Sequence, residues 1–437
     1  MGGVIVNGWG GSRAGSVPPV SAPARPRAAV IVTGSELLTG TIPDANGPWV
    51  SRELSTLGFE VSHVLVVGDR PQDLRDALEF VRGAALVVTS GGLGPTADDL
   101  TGEVVAEFAG APLELDERMR ERIAGIVTAW AQRSGFAGPA LEEATRKQAM
   151  VPRGAIALDP VGTAPGLVVP TSGPLVLVLP GPPRELQGMW PDALVTAPVA
   201  ELLTAIPSAP ERHLRFFGLP ESEIAATLRE LAPVGVEVTT CLRRSELEVD
   251  LRPAPGAEDA AEALADALTE RHERHLVSAD GRTTDELVAQ ALLTRGWTVA
   301  TGESCTGGMV ASRLVDRAGS SAYVAGGVVA YSNAAKTALL GVPEALVAEH
   351  GAVSPEVARA LADGARERFG AEVGIGITGV AGPGGGTEAK PVGYVCFCVT
   401  TADGQVLARD QLLRGSRSDV RERSTDIGMH LLWRATR

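Results

Sequence analysis

The chain has 437 residues, enough for two to four domains with real cores. Its 53 acidic against 39 basic residues give a formal charge of −14 without a Lys/Arg-rich run, which argues against nucleic acid or an anionic membrane as a partner. Four scattered cysteines make no disulfide framework, and no apolar run approaches the ~18 residues that cross a bilayer, so the sequence predicts a cytoplasmic protein.

Residues 1–27, rich in Gly, Pro, Ser and Ala, read as a disordered tail and not a signal peptide. From 28 to 206, apolar runs at Ala28–Val32, Val61–Val67, Ala84–Thr89 and Leu175–Leu179 alternate with helical patterns at 48–57, 71–82 and 116–150. That alternation predicts a doubly wound parallel sheet. Its strand ends deliver Gly34–Gly40, then Gly68-Asp69, then Ser90–Asp99. The glycines of the last loop suit a phosphorylated ligand held by backbone N–H groups. Asp98 and Asp99 either help to hold a divalent cation or cap the helix near Leu100. The dinucleotide and P-loop fingerprints are absent.

Residues 207–281 change character: short strands near 213–217, 236–240 and 247–251 with helices at 222–231 and 257–274 make a small α+β module. His272 and His275, three apart on that last helix, read as a solvated face. The final stretch, 282–437, opens on a helix capped near Thr283 or Thr284 and reads as a three-layer α/β unit. It is organised around Gly302-Glu303-Ser304-Cys305-Thr306-Gly307-Gly308, the expected turn between a strand at 297–301 and a helix at 309–315. Ser304, Cys305 and Thr306 are three adjacent nucleophile candidates, although Ser and Thr also cap helices and a buried Cys serves as a small hydrophobe. Lys336, in Tyr331–Lys336, is a candidate base whose pKa burial would lower. The loop Gly379–Thr387, with Gly379, Ala381, Gly382, Gly384 and Gly385, can wrap a phosphate. Cys396 and Cys398 share a strand face and read as core.

Together these motifs resemble the bacterial CinA family, the competence/damage-inducible proteins, from about Ala28 to the C-terminus. Glu303–Gly308, Tyr331–Lys336, His350–Ser354 and Thr378–Gly385 resemble its nicotinamide mononucleotide deamidase domain. The resemblance implies a serine amidohydrolase with a Ser304/Lys336 dyad, needing no cofactor and releasing ammonia from nicotinamide mononucleotide. The Thr306 and Gly307 amides are the expected oxyanion donors. Tyr331 would tune Lys336 or orient substrate; Glu303 would orient Lys336 or cap backbone groups; Gly308 and Asn333 would line the site. Cys305 is the rival nucleophile. Thr33–Leu38, Gly91–Thr96 with Asp98-Asp99, and Arg146–Ala149 resemble the family's molybdopterin-binding-like domain, associated with metal-dependent ADP-ribose hydrolysis. This implies a nucleotide site at Glu36, Asn46, Gly91, Gly92, Gly94 and Thr96, and a cation on Asp69, Asp98 and Asp99. Ser35 and Ala97 stand where the family pattern usually has Thr and Lys. The middle module resembles a KH-like unit without its Gly-x-x-Gly clamp, so no RNA partner is expected. The resemblance also implies a homodimer. A non-catalytic pterin-nucleotide-binding or competence-linked regulatory protein is the alternative.

Overall fold

Ala28 to Val32 carry no polar side chain, so their backbone can be satisfied only in a strand covered on both faces. They form the middle of β1 (Arg27–Thr33) in a computed structural model that describes residues 25–96, 98–134, 139–206 and 211–437. Residues 1–24 of the expected tail, Ala97 and the expected boundary at Pro207 lie outside the described residues. The chain parts into two compact units, Met1–Ser208 and Ala209–Arg437.

In the first unit β1 is followed by β2 (Glu60–Val67), β3 (Leu86–Ser90), β4 (Leu113–Leu115), β5 (Met150–Pro152), β6 (Ile156–Leu158), β7 (Gly166–Val169) and β8 (Leu175–Leu179). The main sheet has the order β2-β1-β3-β8-β7-β6. Its first four strands are parallel, and β7 and β6 add antiparallel at one edge, so the predicted doubly wound sheet is mixed there. Alternate residues feed two cores: Val30, Val88 and Leu177 pack on one face, Ile31, Val87 and Val178 on the other. The parallel strand ends bring the loops after Thr33, Val67, Ser90 and Leu179 to one crevice, where open α/β sheets bind ligands.

The second unit begins with an antiparallel sheet, order β10-β11-β9-β12, of β9 (Arg212–Phe217), β10 (Val236–Arg243), β11 (Glu246–Pro253) and β12 (Leu276–Ser278). The solvated reading of the two histidines is corrected here. His272 is buried with Nε2 2.9 Å from the Thr227 hydroxyl, and His275 Nδ1 lies 3.0 Å from the Phe217 carbonyl oxygen. The helix ends at Arg271, and His272 packs against Thr227 of the helix Glu221–Leu231 and edge-on to Phe216 of β9.

A five-stranded sheet follows: β13 (Val299–Glu303), β14 (Val324–Val329), β15 (Val373–Gly379), β16 (Tyr394–Thr401) and β17 (Val406–Leu412), in the order β14-β13-β15-β16-β17. The first three are parallel and the last two antiparallel. Helices Thr284–Arg295 and Arg417–Thr436 cover one face, with Leu292 and Leu432 in one apolar cluster with Ile375 and Phe397. The helix Pro355–Phe369 covers the other, where Ala358 and Ala362 pack against Cys396 and Cys398. This helix presses close because the strands beneath it carry glycines. A Cβ on Gly302 would lie 2.6 Å from Leu361 O, on Gly374 2.0 Å from Ala362 O, and on Gly376 2.0 Å from Ala358 O.

The C-terminal helix also ties this layer to the antiparallel sheet. Arg313 donates to Asp285 (2.7 and 2.9 Å) and Asp426 (2.7 Å), and the Ser245 hydroxyl completes Asp426 at 2.7 Å. Four residues on, His430 stacks on Phe217 with ring centroids 4.0 Å apart, and burial pushes its pKa down to about 3, so the ring is neutral.

Gly376→Ala tests the glycine seam. The added methyl meets backbone and cannot be relieved by a rotamer change, so the urea midpoint should fall by the equivalent of about 1–3 kcal/mol.

Candidate active site

Strand β13 runs two residues further than the sequence predicts, so Gly302 and Glu303 belong to the sheet and the turn begins at Ser304. Glu303 is fully buried. Its Oε2 accepts the Gly308 and Val310 amides at 2.9 and 3.2 Å, and Oε1 accepts the Ala311 amide at 2.9 Å and the Thr301 hydroxyl at 3.1 Å. A buried carboxylate is tolerable here because it caps the positive end of helix Met309–Val315. Of the two roles expected for Glu303 the structure has the capping one; neither oxygen bonds Lys336.

Ser304 anchors its amide on Ile377 O of β15 at 2.9 Å. Lys336 comes from the helix Asn333–Leu340, whose cap is the Ser332 hydroxyl accepting the Ala335 amide. Its side chain is 2% exposed, and Nζ lies 3.1 Å from Ser304 Oγ, 3.0 Å from Ala330 O and 3.3 Å from Tyr331 O. Burial lowers its pKa; the Cys305 sulfur acts in the opposite sense. All three neighbours can accept from Nζ; once neutral, the amine would keep two hydrogens for the carbonyls and turn its lone pair to the Ser304 hydroxyl. The arrangement can deprotonate Ser304.

Cys305 is buried in the apolar core, and burial pushes its thiol up to about 12. At neutral pH that leaves roughly one thiolate in 10⁵, which disfavours the rival nucleophile. The Tyr331 side chain is 60% exposed and its hydroxyl accepts from Arg417 at 2.8 Å, so Tyr331 touches Lys336 through its carbonyl and not its phenol. The Gly307 amide closes on Ser304 O at 3.1 Å, the Gly308 amide on Glu303, and the Thr306 amide faces the Cys305 sulfur. The Thr306 hydroxyl is buried without a hydrogen-bond partner. Asn333 opens its helix on the surface.

Gly379 ends β15, Ala381 and Gly382 are buried, and Gly384 and Gly385 are exposed. Gly382, at φ 84°, has Val392 where a Cβ would sit, and its carbonyl accepts from Arg417 at 2.8 Å. Arg417 thus joins the glycine loop to Tyr331, while Arg421 donates to the Cys305 and Thr306 carbonyls at 3.1 Å each. Sequence reasoning missed both arginines. The signal was available: a cation in the first turn of a helix opposes its dipole, so Arg417 had to serve something other than its own helix.

In the first unit, Asn46 is buried with Nδ2 donating to Ser90 Oγ (2.9 Å) and Gly181 O (2.6 Å), while its Oδ1 has no partner among the described residues. Gly91 and Gly92 have φ of 105° and 66° and lie against Thr33 and Thr101, leaving no room for a Cβ. Lys147 donates to Thr96 O and Gln148 to Leu93 O (3.0 Å), so the Arg146–Ala149 stretch props the glycine loop. Glu36 is exposed and folds back over Gly34. Gly94 lies against the Asp99 carboxylate.

The three aspartates expected to hold a cation are not brought together. Asp69 accepts the Ser35 amide (2.9 Å) and hydroxyl (2.6 Å), whereas Asp98 and Asp99 both accept from Thr96. The Thr96 hydroxyl, with Lys147 adding less, lowers the Asp98 pKa. Among the described residues no group of three or more His, Cys, Asp or Glu is placed to hold a metal. As arranged, this donor set does not fit the ion.

Residues 281–436 match the family model described as CinA C-terminal domain, and residues 29–200 that described as Probable molybdopterin binding domain. The chain is 55% identical over 417 residues to a CinA-like protein of Mycobacterium sp. (strain MCS), covering 94% of this chain and 98% of that one. It is 52% identical over 419 residues to a CinA-like protein of Mycobacterium tuberculosis (strain ATCC 25177 / H37Ra), covering 93% and 97%. Among solved structures, the competence/damage inducible protein CihA from Agrobacterium tumefaciens is 36% identical, covers 35% of this chain and 96% of its own, and has a TM-score of 0.34. Among the described residues no helix is long and apolar enough to cross a membrane.

The cysteine environments predict selective alkylation. Burial raises Cys305 to about 12 and Cys396 and Cys398 each to about 11, while Cys241 is exposed. Iodoacetamide at neutral pH should modify Cys241 in the folded protein and spare the other three, as read by peptide mass mapping.

Proposed function

The chain belongs to the CinA family, and from that premise we propose that residues 282–437 hydrolyse the carboxamide of nicotinamide mononucleotide to nicotinate mononucleotide and ammonia. The observation that carries this reading is the 3.1 Å contact between Lys336 Nζ and Ser304 Oγ inside a cage of two carbonyls. Ser304 Oγ attacks the carboxamide carbon as Lys336 takes its proton. Collapse of the tetrahedral intermediate breaks the C–N bond, and Lys336 returns the proton to the departing ammonia. Water then gives a proton to the same amine as its oxygen attacks the acyl carbon; the Ser304 Oγ–acyl bond breaks, the proton on Lys336 returns to Oγ, and nicotinate mononucleotide leaves. Arg417, between the glycine loop and Tyr331, supplies a charge for the substrate's 5′-phosphate.

A second reading concerns the first unit, which we propose binds ADP-ribose in the crevice at the parallel strand ends. What favours it is Asn46, whose buried Oδ1 is fixed in place at the strand ends and left to accept from a ligand donor. The reading includes no step through a metal, because the aspartates do not gather around one point.

Purified protein should release ammonia from nicotinamide mononucleotide. Ser304→Ala and Lys336→Ala should each lose about 10³-fold or more in kcat, and Cys305→Ala should stay within about threefold. The neutral amine is the competent form, so kcat/KM should rise with pH through a limb lying below the ordinary lysine value of 10.5. An inactive parent, or a silent Cys305→Ala beside an active Ser304→Ala, sinks the amidohydrolase reading. ADP-ribose should bind by calorimetry, and Asn46→Ala should weaken it by about tenfold. Assays with and without Mg²⁺ or Mn²⁺ then decide whether it is also cleaved.

A further inference from the structure

Arg421 makes no ion pair among the described residues, although it is only partly exposed. Its Nε and Nη2 are given instead to two consecutive carbonyls of the nucleophile turn, Cys305 O and Thr306 O. In a trans peptide unit the C=O and N–H point in opposite directions. A fork that fixes the carbonyls of 305 and 306 therefore fixes the N–H groups of Thr306 and Gly307 on the far side, away from the C-terminal helix. There the Gly307 N–H meets Ser304 O, and the Thr306 N–H meets the thiol of Cys305, a weak acceptor that gives it up readily. Gly307 sits at φ 62°, where glycine turns the chain without strain, and Nη2 lies 3.4 Å from where a Cβ would be, an ordinary contact.

We propose that Arg421 is a positioning residue for acyl transfer. Its guanidinium holds the Cys305–Thr306 peptide so that the Thr306 N–H receives the negative charge that develops when Ser304 attacks, while the Gly307 N–H stays on Ser304 O and keeps the turn closed. The cation behind the carbonyl also polarises the peptide unit and makes its N–H a stronger donor. This rests on the Ser304 reading above but not on the identity of the substrate.

The test reads the serine itself. The full chain is treated with a fluorophosphonate, and the adduct on Ser304 is followed by intact mass. Ser304 Oγ forms a bond to phosphorus, the P–F bond breaks with loss of fluoride, and the hydroxyl proton passes to Lys336. The phosphoryl oxygen draws on the same N–H donors as a carboxamide oxygen. Removing an oxyanion donor outright costs roughly 10²–10³-fold. Loss of its aim in Arg421→Ala should cost about 10- to 100-fold, and Arg421→Lys, which can serve only one carbonyl well, should fall between Arg421→Ala and the parent. Added guanidinium ion should restore part of the rate of Arg421→Ala, a recovery that a merely structural arginine would not give. An Arg421→Ala chain that stays folded and is modified within about twofold of the parent overturns the inference, and so does an Arg421→Ala rate that guanidinium leaves unchanged. Because ammonia is not the readout, a parent that is labelled at Ser304 yet leaves nicotinamide mononucleotide intact removes the substrate reading alone. A parent not labelled at Ser304 overturns both.

Discussion

The carboxylate of Glu303 is shut off from water and must find its donors within the next two turns of chain. It finds three amides of the helix that follows and the hydroxyl two residues behind. Everything between, Ser304 to Gly307, is a closed loop whose two ends are pinned by one side chain. Leaving a buried carboxylate short of donors costs several kcal/mol, so the loop has little freedom to relax. That constraint gives Ser304 a fixed position without strain having to be invoked.

Three further contacts close around the same loop from different elements. Strand β15 takes the Ser304 amide, the helix Asn333–Leu340 sends Lys336 to its hydroxyl, and the C-terminal helix grips two of its carbonyls. The glycines of β13 and β15 are part of this arrangement. They let the helix Pro355–Phe369 settle onto the sheet with its carbonyls almost touching the strands, which fixes β15 and thereby the carbonyl that receives Ser304. Fixed loops on packed elements need no large movement to become reactive.

Much of this was legible in the residues. Runs such as Ala28–Val32 and Leu175–Leu179 announce strands buried on both faces, and the strand-to-helix turn at Ser304 and the helical place of Lys336 follow from the same periodicities. The parts that escaped have physical reasons. Strands β4 to β7 are three or four residues long among Pro and Gly, too short to carry an alternation. The destination of the Glu303 carboxylate depends on a helix start six residues away, and the burial of His272 on Thr227 and Phe216, far earlier in the chain. Tyr331 reads as a side-chain participant because sequence does not distinguish a residue whose carbonyl is used from one whose ring is. The aspartates of the first unit suggest a cation by type and proximity in sequence, yet each is already taken by a hydroxyl or amide nearby.

The C-terminal helix is also a mechanical part. Arg417, which touches Tyr331 and the glycine loop, and Asp426, which is bolted to Arg313 and to Ser245 in the β10–β11 turn, are nine positions apart, about 14 Å of helix. A helix is stiff over that span, and His430 beyond it is pressed flat on Phe217. One straight element therefore joins the rim of the site to the anchor at Asp426, so the placing of Tyr331 and the glycine loop and the docking of the β10–β11 turn are set by the same helix.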